Sequence, residues 1–80
     1  MELKIVRPTS SQVLNINWLE AETNDGNLVI MPGHTPMVIL LAPNKELSLE
    51  LWDCTRTIMT IAGGILEVTR NAVTLIITHE

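Results

Sequence analysis

The chain has 80 residues, is 46% apolar and carries a formal charge of −4, which leaves room for one small core and none for a second domain. It is too apolar for disorder, and its five basic residues, Lys4, Arg7, Lys45, Arg56 and Arg70, are too scattered for binding to nucleic acid or an anionic membrane surface. Cys54 is the only cysteine, which excludes an internal disulfide and argues against a cysteine-based zinc site.

The elements read as short strands from the start. Residues 3–6 form the first, bounded by Pro8, whose ring removes a ladder donor and suits an edge or bend. Ser10, Ser11 and Gln12 connect to a second strand over residues 14–22. There Leu14, Ile16 and Trp18 share one parity before the register changes near Leu19 and Ala21, as a β-bulge would produce. Asn24-Asp25-Gly26 signals a tight turn, and residues 28–31 follow as a strand stopped by Pro32-Gly33.

Residues 37–41 are apolar at every position, the pattern of a strand buried on both faces, and Ala42-Pro43-Asn44 ends it. Leu47, Leu49 and Leu51 alternate with Ser48, Glu50 and Trp52, giving a half-buried strand that turns at Asp53 and Cys54 into residues 55–62. Gly63-Gly64 interrupts the run, residues 65–69 resume it, and Arg70-Asn71 makes a hairpin. Val73, Leu75 and Ile77 then alternate with Thr74, Ile76 and Thr78. The sum is one all-β domain, residues 1–80, folded as a sandwich or flattened barrel, because a single sheet this apolar would leave one face in water.

No basic segment followed by an apolar stretch opens the chain, and the longest apolar run, residues 37–42, falls far short of the roughly 20 residues of a spanning helix. A soluble chain with an unprocessed start is expected.

No catalytic or metal-ligand spacing is present: no phosphate loop ending in Lys-Ser/Thr, no paired His ligands, no Gly-x-Ser-x-Gly. A Cys54 thiolate beside His34 would be the one nucleophile to weigh, against Cys54 as a small turn residue. His34 stands in Pro32-Gly33-His34-Thr35-Pro36, a loop restrained by proline at both ends; it either satisfies loop carbonyls or contacts a partner. Gly33 and Gly63-Gly64 supply either positive φ or close strand approach.

Several of these strings, in order, carry a family resemblance. Gly26-Asn27-Leu28-Val29-Ile30-Met31-Pro32-Gly33-His34-Thr35-Pro36 resembles the first signature of the epsilon subunits of F-type ATP synthases, Gly-x-x-Gly-Ile-x-Pro-Gly-His-x-Pro. Leu41-Ala42-Pro43 is similar to the ending of the family's next strand, Gly63-Gly64-Ile65-Leu66-Glu67-Val68 to its second signature, and Asn71-x-Val73-Thr74 to its last strand. The resemblance spans essentially the whole chain. It departs at Val29, where the family commonly has glycine.

The resemblance implies a flattened antiparallel β-sandwich of about ten short strands. It implies a non-catalytic central-stalk rotor subunit that binds the gamma subunit and the ring of c subunits, coupling ion-driven rotation to ATP synthesis. Asn27, Met31 and His34, in the loop over residues 24–34, would contact the c ring; Met37, Val38 and Ile39 would lie near gamma. Gly26, Pro32, Gly33, Pro36, Gly63, Gly64 and Glu67 would be structural signature positions. No cofactor, metal or nucleic acid is implied, and membrane contact would run only through the complex, on the cytoplasmic side of a bacterial inner membrane. Most members continue into a helical hairpin that can inhibit ATP hydrolysis and in some cases binds ATP. The sequence given ends at Glu80, ahead of such a hairpin, as either a naturally short subunit or a piece of a longer one would, so the resemblance is not extended to those two properties. The alternatives from the residues themselves are a free-standing β-sandwich module for a small ligand or peptide, and the thiol enzyme.

Overall fold

The computed structural model describes residues 1–79 and contains eight strands: β1 (Glu2–Arg7), β2 (Ser10–Thr23), β3 (Gly26–Ile30), β4 (Met37–Leu40), β5 (Lys45–Leu51), β6 (Arg56–Ile61), β7 (Gly63–Val68) and β8 (Ala72–His79). They form two layers. The first runs β4-β7-β8-β1-β2 and the second β3-β2-β5-β6, so β2 belongs to both. Its first half, residues 10–15, pairs with β1, and its second half pairs with β3 and β5.

This sharing explains two differences from the sequence reading. Ser10, Ser11 and Gln12 belong to β2, paired with Arg7, Val6 and Ile5, and are not a connector. Eight strands also replace about ten, in part because one long strand serves two sheets. Every pair is antiparallel except β1 with β8, which run parallel. No hairpin joins the first strand to the last, so nothing local dictates their sense.

The bend in β2 is a bulge. Ile16 lies opposite Leu51 and Trp18 opposite Glu50, leaving Asn17 as the extra residue. Asn17 Nδ2 donates to Glu50 Oε1 at 2.8 Å and to the Leu51 carbonyl at 3.1 Å, tying down the disturbed ladder. The extra residue switches parity, so Ile16, Leu19 and Ala21 all face inward. The sequence reading placed this switch after Trp18; it falls before, and Trp18 therefore lies on the outer face, half-buried.

Inward rows from the two sheets fill the core. In the first, Ile39, Leu66, Leu75 and Ile5 lie in register, next to Val68, Val73 and Leu3. In the second, Ile30, Leu19 and Leu49 form the matching row, with Leu47 and Ile61 nearby. No polar or charged side chain among the described residues is buried, so the core gains burial energy without desolvating a polar side chain.

β4 corrects an expectation. It is an edge strand paired only with β7, and Val38 and Leu40 are 72% and 64% exposed rather than buried on both faces. A run of consecutive apolar residues does not distinguish a strand covered twice from one whose second face awaits a cover.

The crossing from the second sheet back to the first occurs at Gly63-Gly64. A Cβ on Gly64 would come within 3.1 Å of the Ile76 carbonyl oxygen, so close approach to β8 requires glycine there.

Candidate partner-binding surfaces

The outer face of the first sheet follows from its register. Leu40, Ile65, Ile76 and Val6 lie side by side across β4, β7, β8 and β1, an aliphatic row four strands wide. The adjacent row reads Val38, Glu67, Thr74, Lys4 and Val13, with exposed apolar residues at both ends and charged or polar ones between. This alternation of inner and outer apolar rows makes β4, β7 and β8 hydrophobic on both sides, although only the inner side is covered by this chain.

The three residues expected near gamma divide between the faces. Val38 points outward. Ile39 lies opposite fully buried Leu66 and packs against the core, and Met37, on the same parity, is partly exposed at the start of the strand. Leu40, Ile65, Ile76 and Val6 were missed by sequence reasoning. Their alternation was visible, but which parity faced outward depends on the edge position of β4.

The proline-bounded loop after β3 is anchored at its glycine. Gly33 adopts φ 85°, a region open to glycine at little cost, and its N–H donates to the Arg70 carbonyl at 2.8 Å in the β7–β8 turn. The His34 N–H donates to the Met31 carbonyl at 3.1 Å, closing a turn. The His34 ring Nδ1 lies 2.7 Å from the Thr35 carbonyl oxygen; because that oxygen can only accept, Nδ1 carries the proton in this bond. The half-buried imidazole thus satisfies a loop carbonyl, and its ring partner is Thr35 rather than the Cys54 thiol.

The other end of β3 is the hairpin at Asn24-Asp25. Thr23 Oγ1 donates to the Gly26 carbonyl at 2.9 Å and accepts from the Asp25 N–H at 3.1 Å. Asn27 is exposed and its Nδ2 donates to Glu22 Oε1 at 3.0 Å. Asn27 and Met31 share the outward parity of β3 but are four residues apart, about 13 Å along a strand. His34 sits beyond them beside the β7–β8 turn. The expected c-ring contacts therefore mark a rim along β3 and its following loop, not one cluster.

Between that hairpin and the free edge of β4 runs an open groove of about 410 Å³, lined among others by Asp25, Leu28, Met37, Val38 and Leu40. Cys54 is exposed in the β5–β6 turn at φ 70°, and its N–H donates to the Leu51 carbonyl at 2.9 Å. Its neighbour Asp53 is held below the ordinary carboxyl range by hydrogen bonds from the Thr55 side chain and then the Thr55 N–H. No group of three His, Cys, Asp or Glu side chains able to hold a metal ion occurs among the described residues.

The small sandwich thus has an uncovered apolar face on its first sheet and a rim tethered at Gly33. Comparison with known proteins gives the family. The model of the family described as ATP synthase, Delta/Epsilon chain, beta-sandwich domain matches residues 1–79, and the chain belongs to that family. Among curated proteins, the ATP synthase epsilon chain of Corynebacterium aurimucosum is 36% identical over 56 residues, covering 70% of this chain and 46% of that one. The ATP synthase epsilon chain of Acinetobacter baylyi is 38% identical over 61 residues, covering 76% of this chain and 43% of that one. The chain thus spans less than half the length of these relatives.

Two solved structures share the fold. One is a chain of the Euglena gracilis mitochondrial ATP synthase, OSCP/F1/c-ring, with a TM-score of 0.82 at 22% identity over 96% of this chain and 49% of that chain. The other comes from the Tetrahymena thermophila mitochondrial ATP synthase, central stalk and c-ring, with a TM-score of 0.80 at 20% identity over 99% of this chain and 63% of that chain.

Proposed function

We propose that this chain is a non-catalytic coupling element of the central stalk of an ATP synthase, seated on the gamma subunit through the outer face of its first sheet and on the c ring through the rim along β3. The observation that carries this reading is the in-register row Leu40, Ile65, Ile76 and Val6, an apolar stripe that water would otherwise cover. Family membership supplies the assembly, and the solved relatives come from structures described as containing a c-ring.

The geometry suits torque transmission. Strand pairs that join residues distant in sequence brace the two sheets, and β2 stitches one layer to the other, so sliding of the layers would break its ladders. The Gly33 to Arg70 bond ties the rim to the first sheet, so a load on the loop passes directly into the strands that face gamma. Cofactor binding has no part in this role, and association with the membrane runs through the complex, on the cytoplasmic side if the source is bacterial.

Co-purification with gamma and c-ring subunits from the same source tests the reading. Val38→Glu together with Leu40→Glu places two charges in the apolar contact, each costing on the order of 2 kcal/mol, which predicts gamma binding weakened by a factor on the order of 1,000 with an unchanged melting temperature. Full retention of binding by this variant would remove the first-sheet face from the interface. The groove beside β4 favours the second reading, a free-standing module; a monomer that ignores gamma and retains a small ligand on residues 24–28 and 37–40 supports it instead.

A further inference from the structure

β4 offers backbone as well as side chains. It pairs only with β7, and its opposite edge borders the groove beside the Asn24-Asp25 hairpin. One bond fixes which way its backbone groups point. The Leu41 N–H donates to the Gly64 carbonyl at 3.0 Å, in the register that turns Met37, Ile39 and Leu41 toward β7. Because the ladder groups alternate sides along a strand, Val38 and Leu40 turn theirs to the groove. The Val38 N–H and C=O and the Leu40 N–H have no hydrogen-bond partner among the described residues. β3 does not fill the gap, since it pairs with β2. The two segments meet where Thr23 bridges Leu41 and the Ala42 N–H donates to the Glu22 carbonyl at 3.0 Å. From there the edge runs open to Pro36, and residues 37–40 contain no charge, proline or bulge to block it.

We propose that gamma adds a strand here, a short extended segment hydrogen-bonded along the free edge of β4. Strand addition rests on the coupling role proposed for the chain and extends the gamma contact from a face to an edge. The outward side chains of Val38 and Leu40 belong to the same two residues as the unpaired backbone groups, so a partner seated on that apolar row reaches the edge within one strand spacing, about 4.8 Å. Covering the row strips water from those groups, and a buried backbone donor or acceptor left unpaired opposes binding. A helix cannot supply the missing partners, because apart from its ends its own N–H and C=O groups are bonded internally; an extended chain offers both at the spacing of the ladder. The added segment is apolar on both parities. One set of its side chains continues the row of Leu40, Ile65, Ile76 and Val6, and the other enters the groove against Leu28 and Met37.

The test is amide hydrogen exchange on the isotopically labelled chain, alone and with gamma bound. Alone, the Val38 and Leu40 amides exchange fast and the Ile39 amide more slowly; with gamma, Val38 and Leu40 slow by about 100-fold or more. Val38→Pro keeps an apolar side chain, spares the β7 ladder and removes an outward donor, so it weakens gamma binding by about 10-fold or more. Val38→Ala shortens the side chain but keeps the donor, and weakens binding less. If gamma binds while both amides keep their free rates, or if Val38→Pro binds as well as Val38→Ala, strand addition is overturned and the face contact stands. If gamma does not bind the unmodified chain, the coupling role falls and strand addition falls with it. Protection of both amides in the chain alone, rising with its concentration, assigns the edge to a second copy and also overturns the proposal. Exchange on the unmodified chain keeps the test decisive if Val38→Pro fails to fold.

Discussion

Asn17→Ala probes the feature on which the two-layer arrangement turns. The side chain makes two hydrogen bonds across the bulge, one to the Glu50 carboxylate at 2.8 Å and one to the Leu51 carbonyl at 3.1 Å, both partly buried. A hydrogen bond to a neutral group contributes roughly 0.5–1.5 kcal/mol and one to a charged group about 1.5–3 kcal/mol, with partial exposure lowering both. A total loss of about 2 kcal/mol is expected. With a urea dependence near 1 kcal/mol per molar for a domain of this size, the midpoint falls by about 2 M. Asn27→Ala is the matched control, because Asn27 makes the same amide-to-glutamate bond, to Glu22 at 3.0 Å, on the exposed surface. Its loss should cost less than about 0.5 kcal/mol. Urea unfolding of both variants, followed by circular dichroism in the far ultraviolet, measures the difference. A midpoint shift for Asn17→Ala no larger than that for Asn27→Ala would refute the assignment of the bulge as a stabilised structural joint.

Other outcomes follow from single contacts. Leu49→Ala empties a fully buried site in β5 and should cost about 2–5 kcal/mol by urea unfolding, against a total on the order of 4–12 kcal/mol for 80 residues. Gly64→Ala forces its new methyl against the Ile76 carbonyl and should lower the melting temperature by several degrees, roughly the effect of 1 kcal/mol or more in a small domain. Cys54→Gly relieves a positive φ in an exposed turn and should raise stability by a few tenths of a kcal/mol up to about 1, while Cys54→Ser leaves it unchanged within error. Asp53 has a folded pKa depressed below 3.8, so its stabilising contribution is complete above that value and is lost as pH falls through the lower folded value. Thr55→Ala removes the leading cause, and a carboxyl titration followed by NMR should show the Asp53 pKa rise; an unmoved titration would place the cause elsewhere.

Much of the fold was legible because period-2 patterning and turn chemistry act locally. Leu47, Leu49 and Leu51 alternate with polar neighbours and face the core as their spacing demands, with Leu51 only half-buried at the strand end. Asn24-Asp25, Asp53-Cys54 and Arg70-Asn71 are turns for reasons contained within a few residues. The Pro32 to Pro36 loop was visible as a restrained segment by its prolines alone.

The site was less legible. A parity switch somewhere in β2 followed from its apolar residues, but Asn17 became the inserted residue only because Glu50 and Leu51 lie across the strand to receive its amide. Residues 37–41 announced a strand without saying what covers it, since edge and centre differ only in whether a neighbouring strand arrives. Asn27, Met31 and His34 lie close in sequence, yet an extended strand spaces the first two along a rim and a turn sends the third toward Arg70.

Most strands and the turn positions were thus readable from the order of side chains, because each depends on neighbours within a few residues. Which apolar row faces the core and which faces outward was decided only in three dimensions. Leu40, Ile65, Ile76 and Val6 come from four segments, and they become one surface only when hydrogen-bonded register sets those segments side by side.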